Sequence, residues 1–136
     1  MLFQSHHGIL IAMCVTHLAS GQQTTKTIQC IGGFSVDKTA AKCNDKDFLQ
    51  YNCPLAQCGK DGHLWVPLSG CLHNGVLGSG ISNQQCSSYS MNKKDGYTCR
   101  NTGGEWYSCP YKADNVPFIT CSKCTASKPT APQPRN

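Results

Sequence analysis

Ten of the eleven cysteines in this 136-residue chain lie between Cys30 and Cys124. Thiols at that density either pair as disulfides or hold a metal as thiolates. Their spacing repeats, because Cys30, Cys43 and Cys53 recur as Cys86, Cys99 and Cys109, each 56 residues further on. The flanks agree too: Gln29-Cys30 with Gln85-Cys86, and Tyr51-Asn52-Cys53-Pro54 with Tyr107-Ser108-Cys109-Pro110. With about six residues inserted in the first copy, Val66-Pro67-Leu68-Ser69-Gly70-Cys71 falls on Val116-Pro117-Phe118-Ile119-Thr120-Cys121, which adds Cys71 and Cys121 as a further match. Self-similarity at a fixed period marks repeated structural units. The reading is a duplicated cysteine module, in which only Cys58 and Cys124 lack a counterpart.

Two chemistries compete for these sulfurs. In a disulfide framework the matched cysteines close bridges inside each module, and Cys58 and Cys124 are left either to bridge the modules or to remain reactive. In a zinc framework, Zn²⁺ takes four Cys or His ligands and supplies folding energy to a module too small for a core. Cys121-x-x-Cys124 has knuckle spacing, and Cys53 and Cys58 stand at the wide end of that range. Adding Cys71 and His73 gives one candidate set, Cys53, Cys58, Cys71 and His73; Cys109, Cys121 and Cys124 supply thiolates for another. No second tight C-x-x-C is present, as a zinc ribbon would want, so spacing favours disulfides without settling the matter.

Little else looks catalytic. His63 and His73 occur only in the first module and read as surface imidazoles or metal ligands. Glu105 is the only glutamate, and neither Ser69-Gly70-Cys71 nor Ser79-Gly80 sits in the G-x-S-x-G frame of a nucleophile elbow. A protein without enzymatic activity is expected. Trp65 and Trp106 are the candidate binding surface, since large amphipathic rings dominate sugar and protein interfaces. Tyr51 and Tyr107, at matched positions, are expected in the core.

The elements that position these residues follow from the rest of the chain. Met1 to Gly21 carries no Lys, Arg, Asp or Glu and holds an apolar run from Gly8 to Leu18 before Ala19-Ser20-Gly21, the layout of a secretory signal peptide over 1–21. That run is too short to span a bilayer, and no second one follows, so no membrane partner is expected. Export implies an oxidising compartment and paired thiols. The net charge of +5 is scattered, with only Lys93-Lys94 adjacent, so nucleic-acid binding is not expected.

A loose segment (22–27), a first module (28–73), a Gly/Ser-rich linker (74–83), a second module (84–124) and a Pro-rich disordered tail (125–136) then follow. Lys60-Asp61-Gly62, Lys94-Asp95-Gly96 and Thr102-Gly103-Gly104 read as tight turns. Alternation places Tyr97, Cys99, Tyr107 and Cys109 on one face and Trp106 on the other. Val116–Cys121 would be the fourth strand of the second sheet, and Lys38 to Lys42 could form a helical turn. The fold class is all-β and small: two tandem antiparallel β-modules from an internal duplication, stapled by disulfides, zinc or both.

The signal peptide, the dense cysteines, the Tyr-x-Cys-Pro steps and the doubled module together resemble the cysteine-rich secreted effectors of plant-pathogenic rust fungi, the avirulence proteins in particular. The resemblance covers the layout of the mature chain. It implies a secreted protein, open to later translocation into host cells, that acts without catalysis by binding a host protein or cell-wall component. Because some members of that group hold zinc with their cysteines, it also keeps the metal alternative open. A carbohydrate-binding module and a hydrolase inhibitor, with Cys58 to Leu64 as its loop, are the other readings.

Overall fold

The computed structural model describes residues 24–75, 77–92, 96–112 and 116–128; the expected signal peptide and residues 129–136 lie outside the described residues. What is described is β throughout, apart from one turn of 3-10 helix at Leu55–Gln57. The strands are β1 (Lys26–Gln29), β2 (Gly33–Asp37), β3 (Ala40–Asn44), β4 (Gln50–Pro54), β5 (Cys58–Gly59), β6 (Val66–His73), β7 (Ser82–Asn92), β8 (Gly96–Asn101), β9 (Trp106–Cys109) and β10 (Thr120–Ala126).

Local sequence explains most of the strands. In β4 and β9 the burial alternates, with Tyr51 and Cys53 inward in one and Tyr107 and Cys109 inward in the other, while Trp106 points out. The turn at Thr102-Gly103-Gly104 joins β8 to β9; Gly104 takes φ 90° and its N–H donates to Asn101 O at 3.0 Å. Lys60-Asp61-Gly62 is also a turn, closed by bridge pairing of Lys60 with His63. Lys38 to Lys42 is not helical: it is the β2–β3 hairpin, with Lys38 itself at φ 52°. β7 and β8 form a hairpin whose first pair is Asn92 with Gly96. Only glycine serves at Gly96, where φ is 114° and a Cβ would lie 2.1 Å from Cys109 O.

The topology departs from two tandem modules. β6, β7, β8 and β9 pair in a closed cycle, β7–β8, β8–β9, β9–β6 and β6–β7, which is a four-stranded barrel. Its first strand in sequence, β6, comes from the segment assigned to the first module. The remaining strands follow the same cyclic order, β2–β3, β3–β4, β4–β10 and β10–β1, with β1 and β2 together standing where β7 stands in the barrel. Here the closing strand is β10, from the end of the second module. Each half is thus completed by the strand that follows the other. Val116–Cys121 is therefore not the fourth strand of the second sheet.

The registers fix the correspondence residue by residue. Leu72 and His73 pair with Ser108 and Tyr107, as Thr125 and Ala126 pair with Asn52 and Tyr51. Cys71 pairs with Ser82 as Cys124 pairs with Lys26, and Leu68 with Gln84 as Cys121 with Ile28. Cys124, not Cys121, therefore occupies the place of Cys71, and Cys121 occupies that of Leu68. The sequence comparison was misled by the two Val-Pro dipeptides: the buried position of Val66 in β6 is filled beside β10 by Ile119, not Val116. Both closing strands bulge at the same place, with Gly70 at φ 75° and Lys123 at φ 54°.

The halves join edge to edge through β2 and β7, where Gly33 pairs with Ser90 and Phe34 with Tyr89. A shift of 56 residues maps each of these pairs onto the other. One core runs through both halves: nine of the ten bridged cysteines are buried, together with Phe34, Val66, Leu68, Tyr89, Tyr97 and Ile119. Tyr51 and Tyr107 are buried as expected. The buried Tyr89 hydroxyl ties two segments together, donating to Cys30 O at 2.8 Å and accepting from Ile119 N at 2.9 Å. Burial pushes its pKa well above the ordinary tyrosine value, against the lowering effect of the Ile119 N–H.

The segment boundaries also move. β1 starts at Lys26, inside the stretch expected to be loose, because it pairs with β10. β10 runs to Ala126 and Ser127 N–H donates to Gln50 O at 2.9 Å, so the ordered chain passes Thr125, where the tail was expected to begin. In the linker, Ser82 and Asn83 belong to β7, while Leu77 and Ile81 are fully or largely exposed.

Candidate functional site

All ten cysteines from Cys30 to Cys124 are bonded: Cys30–Cys43, Cys53–Cys124, Cys58–Cys121, Cys71–Cys109 and Cys86–Cys99. Cys30–Cys43 and Cys86–Cys99 lie within the expected modules. Cys53–Cys124 and Cys71–Cys109 are equivalent to each other, and each fastens a closing strand to its adopted half. Cys58 and Cys121 are thus the two without counterparts, and they are bonded to each other; the expectation for Cys58 and Cys124 is corrected accordingly. The extra bridge sits on β5, the edge strand that pairs with β10 opposite Cys121. It packs against its neighbour, with 3.8 Å between the Cys30 and Cys121 sulfurs.

The zinc sets drawn from spacing are divided by this topology. Cys53 and Cys58 are bonded to Cys124 and Cys121 in one half, whereas Cys71 is bonded to Cys109 beside His73 in the other. Sulfurs do gather in threes within 4.8 Å, as Cys30, Cys43 and Cys121; Cys53, Cys121 and Cys124; and Cys86, Cys99 and Cys109. In each group two of the three are already bonded to one another. Zinc binds thiolates, so reduction would have to come first.

The exchange of strands makes one cluster that spacing could not reveal. β6 places His73 beside β9, where His73 Nε2 lies 3.8 Å from Glu105 Oε1 and its ring meets Tyr107 edge-on at 4.9 Å. Glu105 Oε2 also accepts from Tyr107 Oη and Asn101 Nδ2, both at 3.2 Å. This carboxylate raises the Tyr107 pKa, after desolvation as the larger cause. A histidine with a carboxylate is a pair that acid–base catalysts use. Here His73 Nδ1 is buried and finds no hydrogen-bond partner among the described residues.

The other feature is a groove. Strands β4, β3, β2, β7, β8 and β9 form one continuous sheet, and two adjoining hollows lie on it where the halves meet. One hollow of about 240 Å³ is lined by residues that include Ser35, Lys42, Gln50, Ser88, Thr98 and Trp106. A second of about 540 Å³ adjoins it, sharing Ser35, Ser88 and Trp106 and adding Val36, Leu64 and Arg100. Trp106 is 48% exposed and carries the Arg100 guanidinium over its ring at 5.9 Å from the centroid. Arg100 Nε also donates to Gly104 O at 3.3 Å. Gln50 stands 56 residues before Trp106, so the groove has an aromatic wall in the barrel and a polar one opposite.

Trp65 is not part of this groove. It is half-buried at the base of the Lys60–His63 turn, stacked on His63 with ring centroids 4.8 Å apart. Of the two tryptophans singled out by sequence, one therefore presents its ring to a cavity and the other braces a loop. Sequence reasoning missed Ser35 and Lys42, which pair across the β2–β3 hairpin, and Ser88, which joins them only through the β2–β7 pairing. Comparison of the chain with protein-family models, curated proteins and solved structures finds no match.

Proposed function

We propose that this chain is a secreted, non-enzymatic binding protein, of the kind rust fungi deliver to plants, that holds a host protein or cell-wall component on the groove between its halves. The observation that carries the reading is the half-exposed Trp106, which lines both hollows on the sheet. A solvent-facing indole beside an open hollow is unfavourable for folding and useful for recognition. Five disulfides mark a protein of an oxidising compartment, and no helix among the described residues is long and apolar enough to cross a membrane.

We also infer that the halves descend from an internal duplication, followed by exchange of the closing strands. The equal strand order, the equivalent bridges and the common register support it. On this view what was copied is a scaffold, and the binding face belongs to the junction rather than to either copy.

The test is a pull-down from host apoplastic fluid and from host cytosolic extract, using the oxidised chain and a Trp106→Ala variant. A specific partner retained by the parent and lost by the variant is expected. If neither extract yields one, or if the variant captures the same partner equally well, the groove is not the binding face. Capture lost instead on removal of residues 60–63 would favour the inhibitor reading.

A further inference from the structure

The two hollows carry an unequal inventory of charge. Lys42 on one wall and Arg100 on the other are the charged side chains that line them, and no carboxylate does so among the described residues. Asp37, Asp45 and Asp47 sit on the same half as Lys42 but outside the lining, and Lys46 is ion-paired with Asp47 at 2.9 Å, whereas Lys42 has no ion-pair partner among the described residues. Between the two cations lie hydroxyls, Ser35, Ser88 and Thr98, on three neighbouring strands, with the indole of Trp106 where the two hollows adjoin. A flat ring that stacks, hydroxyls that exchange hydrogen bonds and a cation on each wall suit one ligand chemistry.

We infer that the groove binds an anionic oligosaccharide, a chain of sugar rings bearing carboxylates, with one ring stacked on Trp106 and its neighbours' carboxylates facing Lys42 and Arg100. This rests on the binding-protein reading and deepens it by choosing the cell-wall component over the host protein. A neutral sugar would leave Lys42 without a partner. A protein partner would have to bring acidic side chains to both cations at once, whereas a run of sugar acids repeats its carboxylates along the groove. The groove is open to solvent, so the charge contribution is screened by salt and the stacking contribution is not.

The experiment is titration calorimetry of the full oxidised chain with oligogalacturonate and with a neutral cello-oligosaccharide of matched length, at low and physiological ionic strength. Oligogalacturonate binding is expected, weakened by salt. Trp106→Ala should lower affinity severalfold to about tenfold, since a stacked ring is worth up to about one decade. Lys42→Ala, on an exposed strand position, should lower it severalfold and flatten the salt dependence, while Trp65→Ala outside the groove should leave it unchanged. Circular dichroism and a thiol count on each variant separate lost binding from lost folding. Equal affinity for the neutral oligosaccharide, or indifference to Trp106→Ala in a folded variant, overturns the inference. No binding of either sugar overturns it as well; if the pull-down still shows Trp106-dependent capture of a protein, the wider reading survives and only the ligand class falls.

Discussion

The two halves of this molecule share a strand order and differ in how the chain supplies it. The barrel of β6 to β9 is contiguous, from Val66 to Cys109, and its two bridges, Cys71–Cys109 and Cys86–Cys99, lie wholly inside that stretch. The other half is discontinuous. Its strands β1 to β4 wait for β10, which arrives only after the whole barrel has been traversed, and Cys53–Cys124 spans 71 residues to hold it. That half alone carries the additional bridge, Cys58–Cys121. The difference teaches where the extra covalent bond is needed: a strand recruited from far along the chain pays the larger loop-closure entropy, and a second staple offsets it.

The sharpest way to break this comparison is to cut the chain. A fragment covering 64–112 should oxidise to a single species with the Cys71–Cys109 and Cys86–Cys99 bridges and a β-type circular dichroism spectrum. A fragment covering 24–62, with Cys30, Cys43, Cys53 and Cys58 but without β10, should yield mixed pairings in peptide mapping. If the shorter fragment folds uniquely, β10 is not what completes that half.

Removing staples from the intact chain asks the same question more gently. Replacing Cys53, Cys124, Cys58 and Cys121 by alanine together releases β10 and should lower stability by at least about 4 kcal/mol, from the loop-entropy scale for rings of this size. Cys71→Ala with Cys109→Ala, which opens the only long ring holding β6, should cost about 4 kcal/mol on the same scale. Cys58→Ala with Cys121→Ala should cost less, about 2.5 kcal/mol, since Cys53–Cys124 remains and the ring lost is only about eight residues around. Urea midpoints rank the three. Equal losses for the last two would show that the tethers on β10 are not redundant.

The smallest effect belongs to the seam. Tyr89→Phe leaves the Cys30 carbonyl and the Ile119 N–H without their partner and should cost about 1–3 kcal/mol, detectable as a lower thermal midpoint. The same hydroxyl sets an alkaline limit. Its pKa is raised in the folded state, so its contribution is complete below the unfolded tyrosine value of about 10 and is lost as pH rises through the higher native value. A thermal midpoint followed from neutral pH upward should therefore fall less steeply above about pH 10 in Tyr89→Phe than in the parent.

Much of this architecture was legible. The 56-residue repeat was visible because disulfides demand cysteines at paired positions, and strand alternation placed Tyr51, Tyr107 and Trp106 on their observed faces. What could not be read was which strand closes which half. β6 and β10 offer nearly the same ladder to either partner, and the choice depends on contacts remote in sequence. The same non-locality hid Lys42 and Ser88 from Trp106, and His73 from Glu105. The bonded pair Cys58 and Cys121 escaped because Val116-Pro117 resembles Val66-Pro67 while sitting three residues out of structural register.

The crossed bridges also bear on survival among extracellular proteases. Exposed Leu77 and Ile81 lie in the connection from β6 to β7 within the barrel, and the chain on either side of them is joined by Cys53–Cys124, Cys58–Cys121 and Cys71–Cys109. A single cut there gains one water molecule and liberates no fragment: the nicked protein keeps both walls of its groove and migrates as one species until a reductant reaches it.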